Sequence, residues 1–352
     1  MVAITKGREQ MKLKKVLMII FLVLLTAACG QQEQENDEKT TEESTTEEAA
    51  AESKNTFPLT GIATDGSTDA RAIAVMINNH PQARPQSGLQ DADLVYEILA
   101  EGEVTRFLAV YQSDFPERVG PVRSARDYYI QLAKGLDAIY INHGYSPDAK
   151  ELLDNGYIDH LNGLFYDGTL FQRDKSRKAP HNSYIAFDKI IEGAEKNSFD
   201  LKGAPPAFSF LTEDELASLS GNEASAFTVK YGSASFDVSY EYSETEQAYK
   251  RFTSNIQTVD NDTGEPVLLD NIVVIEAAHK VIDNEGRRDV DLQSGGKGYL
   301  MQKGKWNEIE WISKDHLIIL MENQEEVKLV PGKTWINIIP DQPGIETTVT
   351  FQ

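Results

Sequence analysis

The sequence predicts a two-part fold, an N-terminal domain of α+β or α/β class followed by a mainly antiparallel β domain. Three observations carry this expectation. Between Arg71 and Asn155, short apolar runs of strand length are interspersed with helical stretches. Gly203, Pro205 and Pro206 then cluster in LKGAPPAF, residues 201–208, and interrupt the chain. Beyond this break come FTVKY, FDVSYEY, NIVVIEA, GYLMQ, EIEWI, LIILM, EVKLV and TWINII, separated by Gly, Asn and Asp. That spacing suits a sandwich or barrel-like β domain. The expected boundaries are 57–203 for the mixed domain and 204–352 for the β-rich one.

The N-terminus reads as an export signal over residues 1–28. Lys12, Lys14 and Lys15 precede ten apolar residues, VLMIIFLVLL, and small residues then lead into Cys29, the single cysteine of the chain. Ten residues make a helix of roughly 15 Å, about half a hydrocarbon core, which disfavours a permanent span. A lone cysteine just behind the apolar run resembles a bacterial lipoprotein signal, although Thr26 stands where such signals prefer Leu. Acylation of Cys29, palmitate included, would place the protein on the extracytoplasmic face of the cell membrane. Residues 31–55 hold nine acids, two lysines and no aromatic or large aliphatic residue, so 29–56 reads as a lipidated cysteine and a disordered acidic tether. The formal net charge of the whole chain is −22, and loss of the leader takes it to about −26. Such a charge, with an export signal, argues against nucleic-acid binding.

In the mixed half, strands are expected at Ala72–Asn79, Leu94–Leu99, Val104–Gln112 and Ala138–Asn142. A helix is expected over Ser124–Lys134, stopping at Gly135, with Ser124 as N-cap and Asp127 completing a capping box. Ser146-Pro147 starts another, with Ser as N-cap and Pro in the first turn, ending at Asn155-Gly156. Thr212–Glu215 caps a third. The three tryptophans, Trp306, Trp311 and Trp335, are expected in core and hairpin packing. In DLVYEILAEGEVTRFLAVYQ a reversal at Glu101-Gly102 would set Glu97 opposite Arg106, an ion pair between the apolar pairs Leu99/Val104 and Val95/Leu108. Buried charges there need each other.

GPVRSARDYY, residues 120–129, sets two arginines at a helix start inside an acidic chain. The helix dipole disfavours cations at that end and favours an anion. Two readings stay open. Arg123 and Arg126 form an anion clamp, since guanidinium groups suit carboxylate or phosphate, or they are neutralised internally by Glu97, Glu101, Asp93 or Asp127. Asn79, His143, His181 and Asn182 lie at comparable strand ends and loops, so the candidate ligand-binding set is Arg123, Arg126, Glu97, Arg106, His143, Asn79, His181 and Asn182.

ARPQSGL, VYEILAEGEVTRFLAV, GPVRSARDY, RDKSRKAPHN and PGKTWINIIP together resemble the YerB-like lipoproteins of Gram-positive bacteria, a family of two adjoining domains of unknown function. The resemblance runs from about Phe57 to the C-terminus and implies an extracytoplasmic lipoprotein. It carries no catalytic residues across. Glu103 stands where the family usually has a second glycine, and Ser183 where it usually has Leu. The expected function is therefore a binding or accessory module for an anionic cell-envelope component or an envelope protein. The alternatives are a wall glycan or peptide hydrolase or lyase using Glu97 or Glu101 with His143, and a scaffold recruiting a membrane protein through its β half. No GxSxG, HExxH, phosphate loop or metal-ligand spacing is present, so neither a cofactor nor a metal is expected.

Overall fold

The structure, a computed structural model, describes residues 55–352. The leader, Cys29 and nearly all of the acidic tether lie outside the described residues. Ser53–Gln352 makes one compact unit with its own cores, which makes it a natural soluble fragment.

Its frame is a large mixed sheet that runs through both halves of the sequence. Across the sheet the strands follow the order Glu325–Glu326, Leu317–Glu322, Lys305–Lys314, Gly296–Gln302, Asn271–Ala277, Thr334–Pro340, Leu94–Glu101, Val104–Tyr111, Ile73–Asn78, Ile139–Asn142 and His160–Asn162. Thr334–Pro340 is the hinge of this order, parallel to Asn271–Ala277 on one side and to Leu94–Glu101 on the other. Its burial on both faces explains the near-continuous apolar run TWINII. The second half is mainly antiparallel, as its alternating runs predict, and the first is a mixed sheet with helices.

One face of the main sheet carries the helices Asp127–Gly135 and Pro147–Asp154, with Tyr128, Tyr129, Leu132 and Leu153 in its core. The other face is covered by a smaller sheet built on Ala226–Val229, Val238–Ser243, Ala248–Thr253 and Val349–Phe351, and by the helix Phe187–Lys196. Trp311 and Trp335 are buried, while Trp306 stacks on Phe351 at a partly buried place. Ser146 caps its helix as expected, its Oγ accepting from the Ala149 N–H, and Thr212 and Glu215 complete a capping box. The expected cap at Ser124 is not made. Asp127–Gly135 begins three residues later with Arg126 at the N-cap, and Ser124 Oγ donates instead to the His143 carbonyl at 3.1 Å. The chain before the helix is held extended, with Ala125 bridged to Tyr145, so helical geometry cannot start at Ser124.

The central hairpin corrects the expected ion pair. Glu97 lies opposite Phe107, Ile98 opposite Arg106 and Leu99 opposite Thr105, one residue away from the anticipated register. The chain turns at Gly102-Glu103 rather than at Glu101-Gly102, a bulge between Leu99 and Glu101 takes back one residue, and the net one-residue slip sends every side chain to the other face. Glu97 therefore points toward the smaller sheet and Arg106 toward the helices. Each finds a different partner. Glu97 is fully buried and accepts four hydrogen bonds, from Arg251 at 2.8 Å, Trp335 Nε1 at 3.1 Å, Thr105 Oγ1 at 2.9 Å and Asn79 Nδ2 at 3.3 Å. The Arg251 guanidinium lies over the rings of Trp335 at 4.7 Å and Phe107 at 5.2 Å, and it also donates to Thr253 and Thr258. Arg106 binds both carboxylate oxygens of Glu101, at 2.9 and 2.7 Å, because the bulge turns Glu101 onto its face.

Two stability predictions follow from these contacts. Arg251→Met strands a buried carboxylate and should cost about 3–5 kcal/mol by urea unfolding of Ser53–Gln352, whereas Glu97→Leu with Arg251→Met should recover much of that loss; equal destabilisation in both proteins would refute the coupling. His279 bonds the Ala277 carbonyl through Nδ1 at 2.8 Å, its Nε2 is buried without a partner, and burial pushes its pKa down to about 4. The unfolded chain takes up that proton nearer pH 6.5, so stability should be complete above this pH and fall by on the order of 3 kcal/mol toward pH 4. His279→Gln should flatten this part of the profile.

Candidate functional site

Ile73–Asn78 and Ile139–Asn142 run parallel, and their carboxyl ends open beside the segment Gly120–Arg126. Carboxyl ends of parallel strands are where such sheets collect ligands. The backbone explains how the segment is held. Asn78 N–H donates to the Pro121 carbonyl, Arg123 N–H to Met76, Val122 N–H to Ser183 and His143 N–H to Arg123. The GPVRSAR stretch is thus pinned between the two strand ends and the strand Ser183–Ala186, and Arg123 is set among loops carrying His80, His143 and His181.

The two arginines of that stretch have different fates. Arg126 is buried and forms an ion pair with Glu101, which also binds Arg106, so one carboxylate serves two cations. The Arg106 guanidinium further donates to the Ser124 carbonyl at 2.5 Å. For Arg126, internal neutralisation is what the geometry provides. Asp93 has other work, accepting from the backbone N–H groups of Gln112 and Ser113 at 2.6 and 2.8 Å. Arg123 differs from its neighbour. Its guanidinium is partly buried and has no hydrogen-bond or ion-pair partner among the described residues. Burial, with the nearby charge of Arg106, lowers its pKa to about 10.

The histidines complete an electropositive setting around it. His80 and His181 stack with ring centroids 4.5 Å apart, and Asn78 Nδ2 donates to His181 Nδ1 at 2.9 Å. Burial lowers the pKa of His80, His143 and His181, and Arg123 lowers each further. Asn182 Oδ1 accepts from Arg173 at 3.2 Å. Arg173 also holds Asp167 through a doubled contact and donates to His143 Nε2 at 3.0 Å. An arginine N–H can only donate, so His143 Nε2 accepts and Nδ1–H donates to Ser183 Oγ at 2.8 Å. Both ring nitrogens are then committed, which leaves no lone pair for proton abstraction. Gly163 lets the ring in, since a Cβ there would lie 2.1 Å from His143 Nδ1.

Of the eight residues expected to bind a ligand, Arg123, His143, His181 and Asn182 come together at this strand end. Arg126 and Arg106 stand behind it as internal partners of Glu101. Glu97 and Asn79 belong to the buried network on the other face of the sheet, where Glu97 has no access to solvent. Sequence reasoning missed Asn78, the neighbour of Asn79 that faces His181, and it missed Arg251, the true partner of Glu97. Strand alternation through NNHP could have favoured Asn78. Among the described residues, no group of three or more His, Cys, Asp or Glu side chains is placed to hold a metal ion, and no helix is long and apolar enough to cross a membrane.

Comparison with known proteins agrees with this two-part layout. Residues 59–200 match the family described as "Protein of unknown function (DUF3048) N-terminal domain", and residues 227–336 match its C-terminal domain. The chain is 46% identical over 287 residues to the Bacillus subtilis (strain 168) protein named "Putative lipoprotein YerB", covering 81% of this chain and 86% of that one. The crystal structure of YerB protein from Bacillus subtilis superposes with a TM-score of 0.79 at 44% identity, over 85% of this chain and all of that one. With both domains matched in order and a relative this similar over most of its length, the chain belongs to the two-domain DUF3048 family.

Proposed function

We propose that this protein is a membrane-anchored extracytoplasmic lipoprotein that binds an anionic cell-envelope component through Arg123 and the histidines around it. The anchor rests on the leader and Cys29 and is supported by the name of the Bacillus subtilis relative, which describes a lipoprotein. One observation carries the binding reading, namely that Arg123 is a partly buried cation with no partner among the described residues in a chain of net charge −22. An acidic protein has carboxylates to spare for internal neutralisation. Leaving this guanidinium unpaired at a strand end keeps its donors available for phosphate or carboxylate oxygens.

The competing readings have less support. A hydrolase built on Glu97 or Glu101 with His143 would need an acid free for substrate and a base with a free nitrogen, but Glu97 is buried, Glu101 is held by Arg106 and Arg126, and both nitrogens of His143 are engaged. Strand addition at the Glu325–Glu326 edge of the main sheet would meet two exposed acids, which discourage pairing there.

Ser53–Gln352 should retain a teichoic-type phosphate polymer or show calorimetric binding of inorganic phosphate, and Arg123→Gln should lose this while keeping its stability within about 0.5 kcal/mol. Arg126→Met should leave binding in place and cost on the order of 1 kcal/mol, because Arg106 still holds both oxygens of the partly exposed Glu101. His80 and His181 are held more neutral than usual by burial, and a bound anion would raise their proton affinity, so anion binding should gain a contribution as pH falls below the ordinary histidine range. Unchanged binding in Arg123→Gln would exclude this site.

A further inference from the structure

A cavity lies against the loop that carries His80. Its volume is about 330 Å³, at the small end of the range for ligand pockets, and it opens between the loop 79–86 and the turn 253–259 of the smaller sheet. Pro81, Pro85, Ile256 and Val259 supply apolar walls, and Arg84 and Arg251 supply two guanidinium groups. Ile256 is 73% exposed and stands at the rim, where it adds apolar surface at the mouth of the cavity.

The charges of this cavity do not balance. Arg251 is matched by Glu97 at 2.8 Å. Arg84 has no carboxylate partner: its Nε donates to the Asn79 carbonyl at 3.1 Å and to Asn79 Oδ1 at 3.0 Å, and its guanidinium lies 5.2 Å from the Phe236 ring centroid. Arg84 Nη2 is buried and makes no hydrogen bond. A buried donor without an acceptor is costly, and one extra positive charge remains when Arg84, Arg251 and Glu97 are taken together. Burial, with the like charge of Arg251 beside it, pulls the Arg84 pKa down to about 10.

We propose that this cavity is a binding site for a small monocarboxylate with a compact apolar body, its carboxylate received by Arg84 and its apolar part packed against Pro81, Pro85, Ile256 and Val259. A single negative charge matches the single excess positive charge, and a planar carboxylate matches the guanidinium fork. The volume admits a short-chain or single-ring acid. The same chemistry is presented by a free acid and by the C-terminus of a peptide ending in a small apolar residue. This site is independent of Arg123 and does not rest on the anion reading given above.

The test is a thermal-shift and calorimetric titration of Ser53–Gln352 with hexanoate, benzoate and N-acetyl-leucine, each against its uncharged amide. At about tenfold excess over the dissociation constant, a bound acid should raise the melting temperature by roughly 2–4 °C, and its amide should not. Preference for N-acetyl-leucine over the two simple acids would identify a peptide end, and the reverse a free acid. Arg84→Met should abolish the effect, and so should Ile256→Trp, a rim substitution outside the core that blocks the cavity even if the arginine variant fails to fold. Arg123→Gln should leave it unchanged. No binding of any of the three acids at about 10 mM would overturn the proposal. So would equal binding of the amides, or binding that survives Ile256→Trp.

Discussion

The buried pair of Glu97 and Arg251 is the contact on which the arrangement of the two halves depends. Taking both charges out of water costs several kcal/mol each, and that cost is recovered only when geometry is good and remaining lone pairs are filled. Apart from Thr105, which shares the hairpin with Glu97, the groups that meet this condition come from different segments. Glu97 comes from the central hairpin, Arg251 from the smaller sheet, Trp335 from the strand that joins the halves, and Asn79 from the end of Ile73–Asn78. Tyr231 and Tyr240 extend the network, both donating to Asn337 Oδ1 on the joining strand at 3.2 and 3.1 Å. A displacement of the smaller sheet would therefore strand a carboxylate inside the core. The pair acts less as an attractive force than as a specification of one packing among many.

The arginines along this hairpin show how the same side chain serves different ends according to its neutralisation. Arg251 has its own carboxylate, Arg106 and Arg126 share Glu101, and Arg123 and Arg84 have none. One of those last two stands at the strand end, and the other lines the cavity against the loop containing His80. In a protein of net charge −22, local positive potential arises only where carboxylates are kept at a distance. Among the described residues Arg177 and Arg288 also lack an acid but donate to backbone carbonyls, whereas Arg123 and Arg84 stand at places suited to receive a carboxylate or phosphate from outside.

Much of the fold was legible before any coordinates. Ser146-Pro147 and Thr212–Glu215 announced helix starts because a cap is a local bargain between a side chain and the next three N–H groups. Four strands of the mixed half were visible as short apolar runs, and TWINII as one of the β runs of the second half, whereas the short strands His160–Asn162, Phe171–Arg173 and Ser183–Ala186 were not. Ala248–Thr253 was not recognised. Its inward positions are Tyr249, Arg251 and Thr253, and an inward arginine breaks the apolar alternation that marks a strand. The hairpin register failed for a similar reason, since a bulge at Ala100 leaves no mark in composition.

By itself the sequence determined the two-part class, the caps at Ser146 and Thr212 and the family, because each of these is written in contiguous residues or in their local spacing. Only the tertiary structure decided the partners. Whether Glu97 meets Arg106 or Arg251, 154 residues away, depends on a one-residue register shift and on a strand pairing that crosses the whole chain. The same is true of Arg123 and Arg126, three positions apart and chemically identical. One faces Glu101 and the other the open strand end, because an extended segment leading into a helix turns its side chains in different directions. Charge is a property of residues, but neutralisation is a property of the fold.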